Sequence, residues 1–162
     1  MELSSGNRVR GDIFKFRAIA EDFLVNSPDA IDPALDSLIA AAREAALHSY
    51  SPYSHFRVGA ALQLASGAVV TGTNVENASY GLTICAERSA LVRAVAEFGP
   101  AIRITAVAAA NLNDSASPPC GACCQMLAEF IPPDAPVIFQ VPDGIRVMPF
   151  SAVFPLAFEL KA

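Results

Sequence analysis

Two short cysteine clusters constrain this chain more than any other feature. Cys85 is followed two residues later by Glu87, and Cys120 and Cys123 lie in the segment Pro-Cys-Gly-Ala-Cys. Three thiolates fill three corners of a zinc tetrahedron and leave the fourth open, whereas a structural zinc site normally has four protein ligands. A nearby carboxylate is placed to move protons during a hydrolysis. The set therefore predicts a catalytic zinc ion, Zn²⁺, at one ion per chain.

Both clusters are predicted to lie at the start of a helix. Cys120 and Cys123 are three residues apart, so they share one face of a first helical turn. Cys85 begins another segment of helical character. Three thiolates leave a zinc site with net negative charge, which weakens the ion as a Lewis acid. We expect the two helix amino termini and Arg88 to withdraw charge from the sulfurs and tune the zinc.

Composition limits the kinds of partner that the chain can have. The chain has 162 residues, a net charge of −5 and only 11 lysines and arginines, which form no cluster. Binding of a nucleic acid polymer depends on lysines and arginines because they neutralise phosphates. The acidic net charge and the scarcity of basic residues therefore favour a small uncharged ligand. Hydrophobic residues make up 53% of the chain, but no apolar run approaches the roughly 18 residues of a membrane span. The high share of hydrophobic residues is explained by buried strands and a subunit interface, or by one dense core.

Location and domain organisation follow from the same features. Cysteines packed into residues 120–124 are not the pattern of a disulfide framework, and no secretory signal is apparent, so a cytoplasmic location is expected. Residues 1–30 are predicted to be an N-terminal extension in which residues 12–25 are mildly amphipathic, and residues 31–162 to be a single catalytic domain.

The order of predicted elements indicates the fold class. A helix begins at Asp32-Pro33, which have the residue types of an N-cap and a first helical position. The remaining segments alternate between strand and helix patterns: strands at 56–64 and 68–73, a helix at 85–98, a strand at 102–110, a helix at 120–130, and strands at 137–141 and 145–148. This order predicts an α/β sheet with helices on its faces.

Four segments carry a family resemblance, and they occur in a fixed order. They are Tyr-Ser-His-Phe-Arg-Val-Gly-Ala-Ala from Tyr53, Asn-Val-Glu-Asn-Ala-Ser-Tyr-Gly from Asn74, Cys-Ala-Glu-Arg from Cys85, and Pro-Cys-Gly-Ala-Cys from Pro119. The series resembles the cytidine deaminases of nucleoside salvage, in particular their small, three-cysteine, homotetrameric branch, over about residues 49–158. The resemblance implies a three-layer α/β/α fold with a mixed sheet of about five strands. It also implies a hydrolase that converts cytidine and 2′-deoxycytidine to the corresponding uridines and ammonia.

The resemblance also implies roles for individual residues. Cys85, Cys120 and Cys123 would bind zinc and Glu87 would transfer protons. The nucleoside pocket would be formed by Phe56, Asn74, Glu76 and the backbone of Ala86, with Phe158 reaching in from a neighbouring subunit and Tyr80 contributing across an interface. The family usually has an arginine at position 124, where this chain has Cys124, which puts the charge balance of the zinc site in question.

Each of these residues also has a plainer explanation. Taken alone, Glu87 is a solvated helix residue, Phe56 a core residue of a strand, Asn74 a turn residue and Glu76 a loop charge. Cys124 is expected to be a buried or oxidisable free thiol, and His48 and His55 are not expected to be ligands. Three alternatives stay open: a deaminase of modified or antibiotic cytosine nucleosides, a zinc-stabilised nucleoside-binding protein without turnover, and a Cys-Gly-Ala-Cys redox module.

Overall fold

A computed structural model describes residues 24–25 and 32–160. Its strands are β1 (Leu24–Val25), β2 (Val58–Leu64), β3 (Val69–Thr73), β4 (Ile104–Asn111), β5 (Pro136–Val141) and β6 (Gly144–Pro149). Its α-helices are α1 (Pro33–Ala46), α2 (Ala86–Phe98), α3 (Gly121–Leu127) and α4 (Phe150–Val153), and a short 3₁₀ helix covers Tyr80–Leu82.

The strands form one mixed sheet in the order β1-β6-β5-β4-β2-β3. Among the strands of the described residues, only β4 and β5 pair in parallel, and α3 lies in the connection between them. The other neighbours are antiparallel, including the hairpin β2–β3 and the pair β2–β4, in which Val58 lies opposite Asn111. The expected sheet of about five strands is confirmed, and the two-residue strand β1 extends it at the β6 edge.

Helices cover both faces of this sheet, so the predicted three-layer arrangement is confirmed. The side chains of β4 alternate between the two faces, as the two-residue period of a strand requires. Ala106, Ala108 and Ala110 pack with α1 on one face, while Val107 and Ala109 pack with the core formed by α2, α3 and α4 on the other. The central strand is buried on both sides and can therefore be almost entirely apolar.

Two glycines allow helices to approach the sheet closely. A Cβ atom on Gly59 of β2 would lie 2.0 Å from the carbonyl oxygen of Ala42 in α1. A Cβ atom on Gly72 of β3 would lie 2.3 Å from the backbone nitrogen of Ala90 in α2. Any side chain at position 72 would displace α2, the helix that begins at the first cysteine cluster.

The element boundaries differ in detail from the sequence predictions. Asp32 is the N-cap of α1, and its side chain accepts a hydrogen bond from the Ala34 amide at 2.9 Å, as expected. The helix predicted over 120–130 is shorter, and the chain continues to Ile131 in turns. The end of the amphipathic segment 12–25 forms strand β1, while the rest of that segment lies outside the described residues. The sequence did not predict α4 or the 3₁₀ helix.

Candidate metal centre and active site

The three cysteines meet at the amino termini of two helices on the same side of the sheet. Cys85 is the N-cap of α2 and Cys120 is the N-cap of α3, with nearly equal backbone angles (φ −73° and ψ 157° against φ −73° and ψ 161°). Cys123 follows in the first turn of α3. The prediction that Cys85 and Cys120 would be helical is therefore wrong by one residue each, because both occupy the cap.

The spacing of the sulfur atoms fits a metal ion. Cys120 Sγ lies 3.4 Å from Cys123 Sγ and 3.9 Å from Cys85 Sγ, and all three sulfurs lie within 4.8 Å of one another. Zinc–thiolate bonds of about 2.3 Å in a tetrahedron require sulfur–sulfur separations of about 3.8 Å. All three cysteines are free thiols. The residues therefore suit Zn²⁺ in number, spacing and chemistry.

Glu87 lies beside this cluster in a buried position. It is only 5% exposed, and its Oε2 atom lies 3.6 Å from Cys123 Sγ. Burial raises the pKa of its carboxyl group, and the negative charge of Cys85 raises it further. A solvated helix glutamate would be exposed, so the plainer explanation of Glu87 is excluded by its burial.

The thiols influence one another and interact with Arg88. Interaction with the Cys123 thiol lowers the pKa of Cys85 to about 5, and Arg88 contributes to the same shift. The Nη2 atom of Arg88 lies 3.6 Å from Cys85 Sγ and donates to the Thr83 carbonyl at 3.1 Å. The interaction with Cys85 and burial both raise the pKa of Cys123. Arg88 therefore contacts the Cys85 thiol, and its role in tuning the charge of a bound zinc ion stays a prediction.

Cys124 belongs to the hydrophobic core. It is 2% exposed and packs among core residues of α2 and β5, and its Sγ atom donates to the Pro119 carbonyl at 3.7 Å. Burial raises the pKa of this thiol to about 11. It is a buried, protonated thiol and not a fourth member of the metal cluster, which agrees with the sequence prediction.

A cavity of about 210 Å³ opens next to the cysteines. Its wall contains Phe56, Asn74, Ala86 and Glu87, together with Cys85, Cys120, Thr83, Val58 and residues 116–118. A larger cavity of about 270 Å³ lies at the opposite end of β2, around Leu64 and Arg103, and has no cysteine, histidine or carboxylate in its wall. Chemically competent groups therefore converge at the cavity beside the cysteines.

The predicted pocket residues Asn74 and Glu76 hold the loops that border the cavity. Asn74 accepts from Ser49 Oγ at 2.6 Å and from the Val58 amide at 2.9 Å, and donates to the Phe56 carbonyl at 2.9 Å. Glu76 does not line the cavity of the single chain. Its carboxylate accepts from the Tyr53 and Ser54 amides at 2.9 and 3.2 Å and also from the Ser54 hydroxyl.

The predicted residue Phe158 lies on the surface of the single chain. Its ring is exposed, with 70% of the residue accessible to solvent. Its backbone is fixed by Gln125 of α3, which accepts from the Phe158 amide at 3.0 Å and donates to the Phe158 carbonyl at 2.8 Å. Tyr80 is likewise 75% exposed. Sequence reasoning did not anticipate the role of Gln125, since a two-ended contact between a helix and a distant segment has no local signature.

Comparison with known proteins bears on this arrangement. The family model of the cytidine and deoxycytidylate deaminase zinc-binding region matches residues 34–139. The chain belongs to this family.

Individual members are similar along most of their length. The cytidine deaminase of Halalkalibacterium halodurans is 46% identical over 127 residues, which cover 76% of this chain and 93% of that protein. The probable cytidine deaminase of Dictyostelium discoideum is 47% identical over 109 residues, which cover 67% of this chain and 72% of that protein. The crystal structure of the Burkholderia pseudomallei cytidine deaminase matches with a TM-score of 0.68 at 41% identity, covering 76% of this chain and 98% of the other.

The family assignment confirms the sequence-based identification of the fold and of a zinc-binding deaminase. Zinc is the metal of the matching family region, and the three convergent thiols are the cluster suited to hold it. Within the described residues, no helix has the length and apolar character needed to cross a membrane.

Proposed function

We propose that this chain catalyses the hydrolytic deamination of cytidine and 2′-deoxycytidine to uridine and 2′-deoxyuridine, with release of ammonia. The observation that carries the proposal is the buried carboxylate of Glu87, which lies 3.6 Å from a thiol of a three-cysteine cluster. Cytidine deaminase is the activity named for the similar proteins, and the reaction would serve pyrimidine salvage.

Cys85, Cys120 and Cys123 would hold one zinc ion per subunit. Zinc bound in this way supplies a Lewis acid that makes water a nucleophile at neutral pH. Glu87 would accept one proton from the attacking water and deliver it to N3 of the pyrimidine ring as the C4–O bond forms. It would then take the second proton from the new C4 hydroxyl and deliver it to the amino group, so that the C4–N bond breaks, ammonia leaves and a C4 carbonyl remains. A carboxyl whose pKa is raised by burial suits both directions of transfer.

Burial of Glu87 supports catalysis over simple binding. Removing a carboxylate from water costs free energy unless its charge is compensated or it takes up a proton. A protein that only binds nucleosides has no need of such a group beside its metal. A redox module built on Cys120 and Cys123 likewise leaves the convergence of Cys85 and Glu87 unexplained.

The remaining pocket residues are assigned to substrate binding. Phe56 would pack against the pyrimidine, and the backbone of Ala86 would bind one of its polar edges, since both line the cavity. Asn74 and Glu76 would bind the ribose hydroxyls. Asn74 has one amide hydrogen left after its three internal bonds, and an ionised Glu76 offers charged acceptors for a hydroxyl.

We further propose that the sites are completed across a homotetramer. A cavity of about 210 Å³ is smaller than the roughly 300 to 1,000 Å³ of ordinary ligand pockets, and Cys120 is exposed in the single chain. Phe158 is the residue proposed to reach the base in a neighbouring subunit. Its exposed ring and firmly held backbone support this role.

The domain assignment and the location are part of the same proposal. Residues 31–162 would form the catalytic domain, which is supported by the match over residues 34–139, and residues 1–30 would form an extension to it. Three reduced thiols at the metal centre fit the reducing conditions of the cytoplasm.

The test is turnover by the purified protein with its zinc content measured. Incubation with cytidine should lower the ultraviolet absorbance of cytosine, release ammonia and yield uridine, with about one zinc per chain. Glu87→Gln should retain zinc and lose about 10²- to 10⁴-fold in rate. Glu129→Gln, which changes an exposed glutamate outside the cavity wall, is the matched control and should turn over normally. Turnover of Glu87→Gln at the wild-type rate would refute the assignment of Glu87.

A further inference from the structure

Two asparagine side chains bracket Phe56, the aromatic residue of the cavity wall. Asn74 donates to the Phe56 carbonyl and accepts from the Val58 amide, both at 2.9 Å. Asn113, on the other side, accepts from the Arg57 amide and donates to the His55 carbonyl, again both at 2.9 Å. The peptide groups on both sides of Phe56 are therefore held by side-chain amides.

Asn113 continues the β2–β4 ladder beyond the end of β4. The last backbone pair is Val58 with Asn111, followed by a bond from the Leu112 amide to the Arg57 carbonyl. From that point the backbone of β4 turns away. The amide group of Asn113 has an acceptor oxygen and a donor nitrogen in the same plane, so it can take the place of partner-strand backbone for one residue beyond the β2–β4 ladder.

The segment that Asn113 holds has an unfavourable backbone conformation. His55 has a φ of 58°, in the left-handed region that few residues other than glycine adopt. Such a conformation persists where the surrounding structure fixes it on several sides. The His55 amide donates to the Ser51 carbonyl at 3.0 Å, and the bond from Asn113 fixes the carbonyl of the same residue.

The loop that carries Asn113 is closed by other contacts. Asn111, which is fully buried, accepts from the Asn113 and Ser115 amides at 2.8 and 3.3 Å and donates to the Ser115 carbonyl at 2.6 Å. The side chain of Asn113 is thus not needed to shape its own loop. Both of its polar ends bind the segment next to Phe56.

We propose that Asn113 is a positioning residue that fixes the position of Phe56 in the cavity and thereby sets the affinity for the pyrimidine ring. This inference rests on the proposed function, in which Phe56 contacts the base. Asn113 acts through the backbone at His55 and Arg57 and does not touch the reacting atoms. Its loss should weaken nucleoside binding while the chemistry at Glu87 and the cysteines continues.

The test compares Asn113→Ala with Ser115→Ala, a control in the same exposed loop. Among the described residues, Ser115 Oγ donates to the Asn113 carbonyl alone, at 3.2 Å. Its removal therefore leaves the hydrogen bonds between the Asn113 side chain and residues 55 and 57 intact. Losing two neutral hydrogen bonds sets the scale of the effect: in Asn113→Ala the KM for cytidine should rise about tenfold, with kcat within about twofold. The Kd for the product uridine, measured by calorimetry, should rise in parallel, while zinc content stays at about one per chain.

Hydrogen exchange at the Arg57 amide provides a readout that does not depend on turnover. This amide should exchange faster in Asn113→Ala and at the wild-type rate in Ser115→Ala. Asn113→Asp keeps an acceptor for Arg57 and removes the donor to His55, so it should restore protection of the Arg57 amide and give an intermediate KM.

Two results would overturn the inference. One is an unchanged Arg57 exchange rate in Asn113→Ala, and the other is faster exchange with KM and the uridine Kd unchanged. Failure of the proposed function is recognised separately. The wild-type protein would then fail to convert cytidine, while the Arg57 exchange rate would still report on the hydrogen bond from the Arg57 amide to Asn113.

Discussion

The close packing of β3 against α2 leads to a quantitative prediction for Gly72→Ala. The added Cβ would lie 2.3 Å from the Ala90 nitrogen, 2.6 Å from the Ala86 oxygen and 2.8 Å from the Ala90 Cα. All three neighbours are backbone atoms and cannot rotate away. Ordinary contact begins at 3.4 Å, so the strand and the helix must separate by about 1.1 Å.

This separation should affect both stability and catalysis. Overpacking of a well-packed core costs about 1 to 3 kcal/mol, which for a chain of this size lowers Tm by about 2 to 12 °C. Ala86 is the first residue of α2, and Cys85 and Glu87 flank it. A displacement of about 1 Å at reacting groups can reduce a rate by about 10²-fold, so we expect a fall in kcat of up to that size.

The assay pairs thermal unfolding with cytidine turnover and uses Gly81→Ala as the control. A Cβ on Gly81 meets nothing within 4 Å, so this variant should unfold at the wild-type temperature. If Gly72→Ala unfolds within about 1 °C of the wild type and turns over at the same rate, α2 does not depend on the absence of a side chain at position 72, and the reasoning fails.

Three further predictions concern single side chains. Cys124→Ala should keep about one zinc per chain, whereas Cys123→Ala should lose the metal, as measured by atomic absorption. Zinc loss in Cys124→Ala would contradict the assignment of this thiol to the core. Asp32→Ala should lower the free energy of unfolding by about 1 kcal/mol in urea titrations because it removes the N-cap bond of α1, and Asp32→Asn, which keeps an acceptor, should restore most of it. Hydrogen bonds from the Ser54 hydroxyl and from the Tyr53 and Ser54 amides hold the pKa of Glu76 below its usual value. The Glu76 carboxylate therefore stabilises the folded chain above its unfolded pKa of about 4.3, and this stabilisation is lost as the pH falls through the lower folded pKa. The stability difference between the wild type and Glu76→Gln should therefore shrink over that range in acid titrations followed by circular dichroism, and a difference that stays constant with pH would exclude a folded-state shift.

Much of the fold and the reactive centre could be predicted because their signals are local. Asp32 and Pro33 identify the start of α1 from two adjacent residue types. The cysteine clusters predict the zinc site because three thiolates with a nearby carboxylate are typical of a catalytic zinc centre. Strand limits were accurate to about two residues, since alternating apolar patterns end where turns begin.

The residues that position the site could not be predicted in the same way. Asn113 looks like an ordinary loop residue, and its function depends on a contact with residues 55–57 that only the folded chain creates. Gln125 and Gly72 are similar cases, because a close approach between distant segments leaves no pattern in either one. The placement of Glu76 against the turn at Tyr53 and Ser54 also required the structure.

The position of the cysteines at the caps of two different helices has a consequence for biosynthesis. Cys85 and Cys120 are 35 residues apart in the chain, and Cys85 leaves the ribosome first. The seven residues of α3 are too few to form a stable helix alone, so Cys120 and Cys123 reach their places only when α3 packs onto the sheet. β5, which follows α3 in the chain, must pair with β4 to complete that surface. Metal capture is thus tied to a late stage of folding, after β4 and β5 have paired and α3 has packed against them.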